Sequence, residues 1–254
     1  MSGSIKQGRH GRELWVVNIG LTAYDDALDL QLRLRDARAT GAIADTLLLL
    51  EHPAIYTRGR RAEPAELQFD EAWYRARGVE LRDVDRGGKT TYHGPGQLVG
   101  YPILDTSVVD GDVPRLVQTI ESAMIAALAF EGVEARRDPA GRGVWAGAGE
   151  QAGKIGSIGL HVARGITTHG FAVNIDCDLA PFSWIKPCGL EDPTTSIAVQ
   201  SGRSGRMQCF SRRVAFELAE ALAVRQRLVG RERLLAQLGG ASGQVPTNDL
   251  VFSA

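Results

Sequence analysis

The sequence predicts an α/β (α+β) fold, a mixed β-sheet flanked by helices. Three observations carry this reading. A few long segments repeat apolar residues at helical spacing. Short apolar or alternating runs, bounded by glycine or proline, stand between them. The runs in the middle of the chain follow one another too closely for crossover helices, so hairpins must join some strands and strict βαβ alternation is excluded.

Taken in order, residues 1–12 read as a polar, basic arm. Tyr24 to Thr40 places Ala27, Leu30, Leu34 and Ala37 on one helical face, and Gly41 stops it. Thr46 to Leu50 is a buried strand ended by Glu51-His52-Pro53. Phe69 to Arg77 is a short helix closed by Gly78, and Val79 to Val84 alternates like a strand. A glycine-rich loop, Arg86 to Gly96, leads into a strand from Leu98 to Leu104. Val113 to Phe130 is the clearest helix, with Leu116, Ile120, Met124, Ala127 and Leu128 inward and Gly132 as its stop. Short apolar segments follow at Val133–Arg136, Gly143–Ala146, Lys154–Val162, Thr167–Ile175 and Thr195–Val199. Ser211 to Leu228 and Arg231 to Leu238 read as helices, and residues 239–254 as a loosely held tail. No linker or repeat divides the chain, so residues 13–238 are expected to form a single domain.

The bulk numbers narrow the function. The chain has 254 residues, enough for a sizeable core, with 44% hydrophobic and 23% charged residues. A formal net charge of -1 lacks the basic surplus of a nucleic-acid binder. The longest apolar run, Ala123 to Phe130, is far short of a membrane span, and the first residues contain no apolar leader. A cytoplasmic location and no membrane partner follow by default. No large apolar surface stripe is visible, which makes a monomer the default state. Three cysteines, Cys177, Cys188 and Cys209, do not make a disulfide framework, and no ligand spacing for a metal is present.

Three segments carry chemistry. In the first, Arg86-Gly87-Gly88-Lys89-Thr90-Thr91-Tyr92-His93-Gly94-Pro95-Gly96-Gln97, four glycines permit tight turns and close approach to a ligand. Their N–H groups can hold a carbonyl or an anion. It is not a P-loop, because the first glycine of that motif would fall at Asp83 and no helix follows the threonine. A β-turn with solvated charges fits the segment equally well. In the second, Lys154 stands among glycines and apolar residues from Gly153 to Gly159. It is either an ordinary exposed lysine or a base in a dry setting. In the third, Lys186-Pro187-Cys188-Gly189, proline and glycine open space around a sulfur that is otherwise a small apolar side chain. Cys177 lies between Asp176 and Asp178, which would raise its thiol pKa, and Cys209 reads as structural, just ahead of the last long helix. His52 reads as a cap or turn residue, and no Gly-x-Ser-x-Gly elbow is present.

Together and in this order, these segments resemble the octanoyltransferases of lipoate synthesis, the lipoyl/octanoyl transferase family. The resemblance lies in Arg86 to Tyr101, Gly153 to Gly159, His169-Gly-Phe-Ala-Val-Asn174 and Pro187-Cys-Gly189, with Leu47-Leu-Leu-Leu-Glu-His-Pro53 ahead of them. It covers roughly residues 14 to 222. It implies the fold of the biotin and lipoate protein ligases. It also implies transfer of an octanoyl group from octanoyl-acyl carrier protein to a lysine of lipoyl domains. Those acceptors would belong to 2-oxoacid dehydrogenase complexes and the glycine cleavage H protein. By the same resemblance Cys188 is the acyl-accepting nucleophile and Lys154 the group that lowers its pKa. Arg86, Gly87, Gly88, Lys89, Thr90, Thr91, Tyr92 and His93 would line the acyl site with Ser157, Ile158, Gly159, Gly170, Phe171 and Ala172. No cofactor or metal is called for, because a thioester donor is already activated. The chain departs from the family at Gly153 and Gly156, where many members have a basic residue and an alanine. A slightly different strand geometry is expected there.

Overall fold

The computed structural model describes residues 11–137, 143–186 and 193–239. Most of the expected arm, the tail beyond Gly239 and Cys188 lie outside the described residues. Along the chain the elements are β1 (Glu13–Leu21), α1 (Tyr24–Ala39), β2 (Asp45–Glu51), β3 (Ile55–Arg58), α2 (Glu71–Arg75), β4 (Glu80–Asp83), β5 (Thr90–His93), β6 (Gln97–Ile103) and α3 (Val113–Phe130). Then come β7 (Ala135–Arg137), β8 (Val144–Ala146), β9 (Gly153–Ala163), β10 (Ile166–Asn174), α4 (Ile197–Ser201), α5 (Met207–Leu222), β11 (Arg225–Leu228) and α6 (Arg231–Gly239).

Among the described residues the main sheet runs β11-β1-β2-β6-β10-β9-β8-β7, and β4-β3-β5 form a smaller one. β1 is parallel to β11 and β2, while the β2, β6, β10, β9, β8 and β7 neighbours are antiparallel. The expected hairpin is β9–β10, turning at Arg164-Gly165 with Ala163 opposite Ile166.

The unbroken run in β2 has a simple cause: both faces of the sheet are covered. Leu47 and Leu49 pack with α3 and α5 through Ile120, Met124, Phe210 and Leu218. Leu48 and Leu50 point the other way, against Ala27 and Leu34 of α1 and Leu234 of α6. A third cluster, Tyr56, Tyr74, Val79, Tyr92 and Ile185, fills the space behind the small sheet. Helix α3 keeps its predicted bounds. The Asp112 carboxylate accepts from the Arg115 amide (3.0 Å), and Gly132 takes a positive φ of 78° past its end. It is long and apolar enough by composition to cross a membrane, yet Leu116, Ile120, Met124 and Leu128 lie in the core.

Four expectations change. The predicted helix from Ser211 to Leu228 begins earlier and ends at Leu222, because Ala223 turns into the left-handed region and Arg225–Leu228 pairs with β1 instead. Cys209 consequently lies within α5 rather than ahead of it. Thr195–Val199 is no strand: the Ser196 side chain accepts from the Val199 amide (3.2 Å) and starts α4. The supposed loop from Arg86 to Gly96 contains β5, which the partner β3 draws into the small sheet. Strands β1 and β3 had no counterpart in the sequence reading.

Candidate active site

The glycine loop is built onto the edge of β9. The Gly87 amide donates to the Leu160 carbonyl (3.1 Å), continuing the sheet where β8 has ended. Gly159 permits this approach, since a Cβ there would fall 2.6 Å from the Gly87 oxygen. The Arg86 guanidinium turns inward and donates to the Thr57 carbonyl (2.6 Å) and hydroxyl (2.8 Å). It is an anchor that ties the loop to β3, and burial pushes its pKa down from the ordinary arginine value.

Beyond the loop, Lys89 pairs with the buried Glu66 carboxylate (3.2 Å), whose other oxygen accepts from the Thr90 amide (2.9 Å). The Glu66 carbonyl accepts from the Lys186 amide (2.8 Å), and Leu67 bridges to Ile185. Glu66 therefore joins the glycine loop to the chain that enters Pro187-Cys188. The Tyr56 and Tyr74 hydroxyls donate to the carbonyls of Pro181 (2.6 Å) and Trp184 (2.7 Å), strapping the same approach segment to the aromatic cluster.

On the far side of Cys188 the chain returns to Lys154. The Lys154 amide donates to the Pro193 carbonyl (2.7 Å), and its carbonyl accepts from the Thr195 amide (3.1 Å). Lys154 is half-buried and stands beside a bulge: Val144 pairs with Gly156 and Trp145 with Lys154, leaving Ile155 as the extra residue. Ile155 is in the core and Gly156 faces Met124, so the bulge turns the lysine off that face. Gly153 and Gly156 both stand in tight places. A Cβ at Gly153 would come 3.1 Å from the Pro193 oxygen, and one at Gly156 3.3 Å from the Met124 sulfur.

A chain of buried hydrogen bonds connects the loop to the lysine strand. The Gln97 Nε2 donates to the carbonyl of Tyr92 (3.2 Å) and to Asn174 Oδ1 (2.9 Å). Its Oε1 then faces His93 Nδ1 at 2.7 Å, so Nδ1 carries the proton and Nε2 keeps a lone pair. Asn174 Nδ2 donates to the Thr195 carbonyl (2.9 Å), and Thr195 holds Lys154. Sequence reasoning passed over Gln97, Asn174 and Thr195 as site residues, although the first two end quoted motifs. Glu66 carried no signal at all, being one more acid in a charged stretch.

The predicted acyl-lining residues of the β9–β10 hairpin divide between two faces. Ser157 pairs with Ala172 and Gly159 with Gly170, whereas Ile158 pairs with Phe171. Phe171 and Ile158 join the core on the α3 and α5 side. Ala172 belongs to the α1 side. Gly170 is tight, with a would-be Cβ 2.0 Å from the Gly100 oxygen. Thr90, Tyr92 and His93 are buried, and Gly87, Gly88, Lys89 and Thr91 partly so.

Four of the five histidines gather around this loop. His52 is no surface cap. It is fully buried, donates from Nδ1 to the Thr22 carbonyl (2.7 Å) and accepts at Nε2 from the Tyr101 hydroxyl (2.7 Å). Its ring centroid is 5.7 Å from that of His93. Burial pushes the His52 pKa down to about 4. Burial first, then the neighbouring His52, pushes His93 down to about 3. His169, at a positive φ of 56°, donates to Asp85 (2.6 Å), which also faces His161 (3.6 Å).

Cys177 is buried and its thiol is pushed up to about 12. Burial is the first cause, and the flanking Asp176 and Asp178, the cause read from the sequence, add to it. An open groove of about 390 Å³ between α3 and α5 is lined by Phe130, Gln208, Cys209, Arg212, Arg213 and Phe216, none of them a predicted acyl-site residue. Among the described residues no three His, Cys, Asp or Glu side chains are grouped to hold a metal.

Residues 23–219 match the family model described as "Lipoyl protein ligase A/B catalytic domain". A protein named "Octanoyltransferase" from Mycobacterium sp. (strain KMS) is 43% identical over 233 residues, covering 91% of this chain and 94% of its own length. One of the same name from Mycobacterium tuberculosis (strain ATCC 25177 / H37Ra) is 45% identical over 205 residues, covering 80% and 84%. Among solved structures, a lipoate-protein ligase A bound with ATP superposes with a TM-score of 0.67 at 18% identity, covering 91% of this chain and 93% of the other. A bipartite lipoate protein ligase from Thermoplasma acidophilum gives 0.67 at 17% identity, covering 91% of each. The fold expected from the sequence is thus the fold found.

Proposed function

The chain belongs to the lipoyl protein ligase A/B catalytic family, and from that premise we propose that it moves an octanoyl group from an acyl carrier protein to a lipoyl-domain lysine through a thioester on Cys188. Relatives named octanoyltransferase match most of its length, so it is an acyltransferase of protein lipoylation. The observation that carries the mechanism is the double anchorage around Cys188. Glu66 ties the entering chain to the glycine loop, and Lys154 ties the returning chain to β9.

In the first step the Cys188 thiolate attacks the carbonyl of the octanoyl thioester. The carrier's sulfur leaves and takes a proton from Lys154 to become a thiol, so one thioester replaces another at little net free energy and Lys154 is left neutral. In the second step the amine of the acceptor lysine attacks the Cys188 thioester. The C–N bond of an amide forms, the C–S bond breaks and Cys188 regains its thiolate. Free cysteine, near pKa ~8.5, is mostly protonated at neutral pH, so a cationic Lys154 helps by stabilising the thiolate. Once neutral, Lys154 takes the proton that the attacking amine sheds. Among the described cysteines, Cys177 is disfavoured as nucleophile by its raised pKa.

Burying the octanoyl chain, at ~0.8 kcal/mol per CH2, is worth about 5 to 6 kcal/mol before ordering costs. Gly159 and Ala172 share one face of the hairpin, where Gly159 seats the glycine loop that would wall the acyl slot and Ala172 packs toward α1. Residues 13–238 form the catalytic domain in this reading, acting in the cytoplasm. The acceptors are lipoyl domains of 2-oxoacid dehydrogenase complexes and the glycine cleavage H protein.

Intact-protein mass spectrometry after incubation with octanoyl-acyl carrier protein tests the proposal. An octanoyl adduct on Cys188, lost in Cys188→Ala, is the expected result. An adduct on Cys177 or Cys209, or transfer undiminished in Cys188→Ser, overturns it. The likeness to an ATP-bound ligase keeps one rival in view: release of pyrophosphate during transfer would replace the thioester route with an acyl adenylate.

A further inference from the structure

Two adjacent arginines, Arg60 and Arg61, follow β3 and are both exposed. Their backbone is built directly onto the glycine loop. The Gly59 amide donates to the Lys89 carbonyl (3.4 Å), Arg60 to that of Arg86 (3.1 Å) and Arg61 to that of Gly88 (3.0 Å). Gly59 has no room for a side chain: a Cβ would lie 2.6 Å from the Gly88 oxygen and 2.7 Å from Arg86 Nη1. The two guanidinium groups thus project from a turn whose position is fixed to the loop.

The surrounding acids are engaged with other bases. Asp83 pairs with Arg58, Glu63 and Glu66 with Lys89, Asp25 with Arg82, and Glu71 with Arg58 and Arg75. Neither Arg60 nor Arg61 makes an ion pair or side-chain hydrogen bond with any of the described residues. On α5, Arg213 pairs with Glu217 (2.6 Å) and stacks on Phe130, and Arg206 just ahead of it pairs with Glu131 (2.7 Å), while Arg212 makes no ion pair with the described residues. Arg60 and Arg61 thus set two adjacent positive charges, unpaired among the described residues, beside the glycine loop.

We propose that Arg60 and Arg61 are the docking point for an acidic face of the protein that carries the acyl donor. The inference rests on the acyl-transfer reading of the site beside it. Guanidinium forks bind carboxylates in two-pronged fashion, and fixed uncompensated charge steers an oppositely charged partner toward the loop. Such contacts act mainly on encounter and on salt dependence.

The test uses the full chain with Arg60 and Arg61 both changed to Glu, and with both changed to Gln. Transfer to one lipoyl domain is measured from octanoyl-acyl carrier protein and, separately, from octanoyl-N-acetylcysteamine, a small neutral thioester. Binding of the carrier protein is followed in parallel by fluorescence anisotropy, which needs no turnover. Charge reversal should lower kcat/KM for the carrier donor by about tenfold or more, chiefly through KM, with the Gln variant between. The small thioester should react as with the unaltered chain, and added salt should weaken the carrier reaction of the unaltered chain alone. Unchanged carrier binding in the Glu variant overturns the proposal. So does an equal loss with both donors, which would place the arginines at the reacting site, or a loss confined to the KM of the lipoyl domain, which would make the acceptor their partner. If the unaltered chain transfers nothing from either donor, the acyl-transfer reading fails while the anisotropy arm still decides the docking.

Discussion

Two buried neutral histidines should make this protein acid-labile well above the range where carboxylates titrate. His93 has its pKa pushed down to about 3 and His52 to about 4, in both cases chiefly by burial. In the unfolded chain each returns to the ordinary value near ~6.5. Between the folded and unfolded pKa the unfolded chain binds more protons, so stability rises with pH. The stabilisation is present above about pH 6.5 and is lost as pH falls toward the folded values. From about pH 7 to about pH 5 each histidine removes roughly 2 kcal/mol, together about 4 kcal/mol, a large part of a typical ~5–15 kcal/mol. His169 is lowered as well, again by burial first, and acts with the same sign. Urea denaturation at the two pH values measures the difference, and His52→Gln should remove about half of it. Histidine ring NMR shifts supply the site-specific readout: neither His52 nor His93 should titrate above about pH 5 in the folded protein. A folded-state midpoint near ~6.5 for either ring, or equal stability at both pH values, refutes the reasoning.

Three further perturbations probe the supports of the site. Glu66→Ala strands the Thr90 amide and removes the Lys89 pair, so urea denaturation should show a loss of about 3–5 kcal/mol. Glu66→Gln, which keeps an acceptor for Thr90, should lose less. Gly159→Ala places a methyl 2.6 Å from the Gly87 oxygen. It should cost about 1–3 kcal/mol and slow transfer by displacing the loop, and a stability change under about 0.5 kcal/mol would contradict the close approach. Asn174→Ala cuts the link between Gln97 and Thr195. Hydrogen exchange at the Thr195 amide should accelerate by tenfold or more, about 1.4 kcal/mol, while amides at the centre of α3 keep their protection.

What the sequence disclosed follows from where the information is stored. Helices α1 and α3 were legible because their apolar faces repeat locally and their ends carry stop signals in Gly41 and Gly132. Strand β2 was legible as a doubly covered strand from its unbroken apolar run. Strand β11 was not, since Arg225–Leu228 has no strand pattern of its own and becomes one by pairing with β1 some two hundred residues away in sequence. Strand β5 was hidden for the same reason, its glycine-rich surroundings suggesting a loop until β3 supplies a partner.

The site divides along the same line. Residues whose role is local show themselves in the sequence: the glycines that bring Arg86–Gly88 against β9 stand in a dense motif. Residues whose role is to join distant segments do not. Glu66 acts by holding Thr90, Lys89 and Lys186, and Asn174 by holding Gln97 and Thr195. Each bond spans a separation that no periodicity encodes. Both residues are buried polar groups with their principal atoms paired, an arrangement that is costly to disturb and so fixes one geometry. Lys154 shows the two kinds of information meeting. Its glycine neighbours announce a special place, but its direction is set by the bulge at Ile155 and by the grip of Pro193 and Thr195. If a thiolate on Cys188 is to share a proton with that lysine, the strap from Glu66 and the clamp at Lys154 must both hold. Loosening either should then slow acylation of Cys188 more than it weakens binding of the acyl donor.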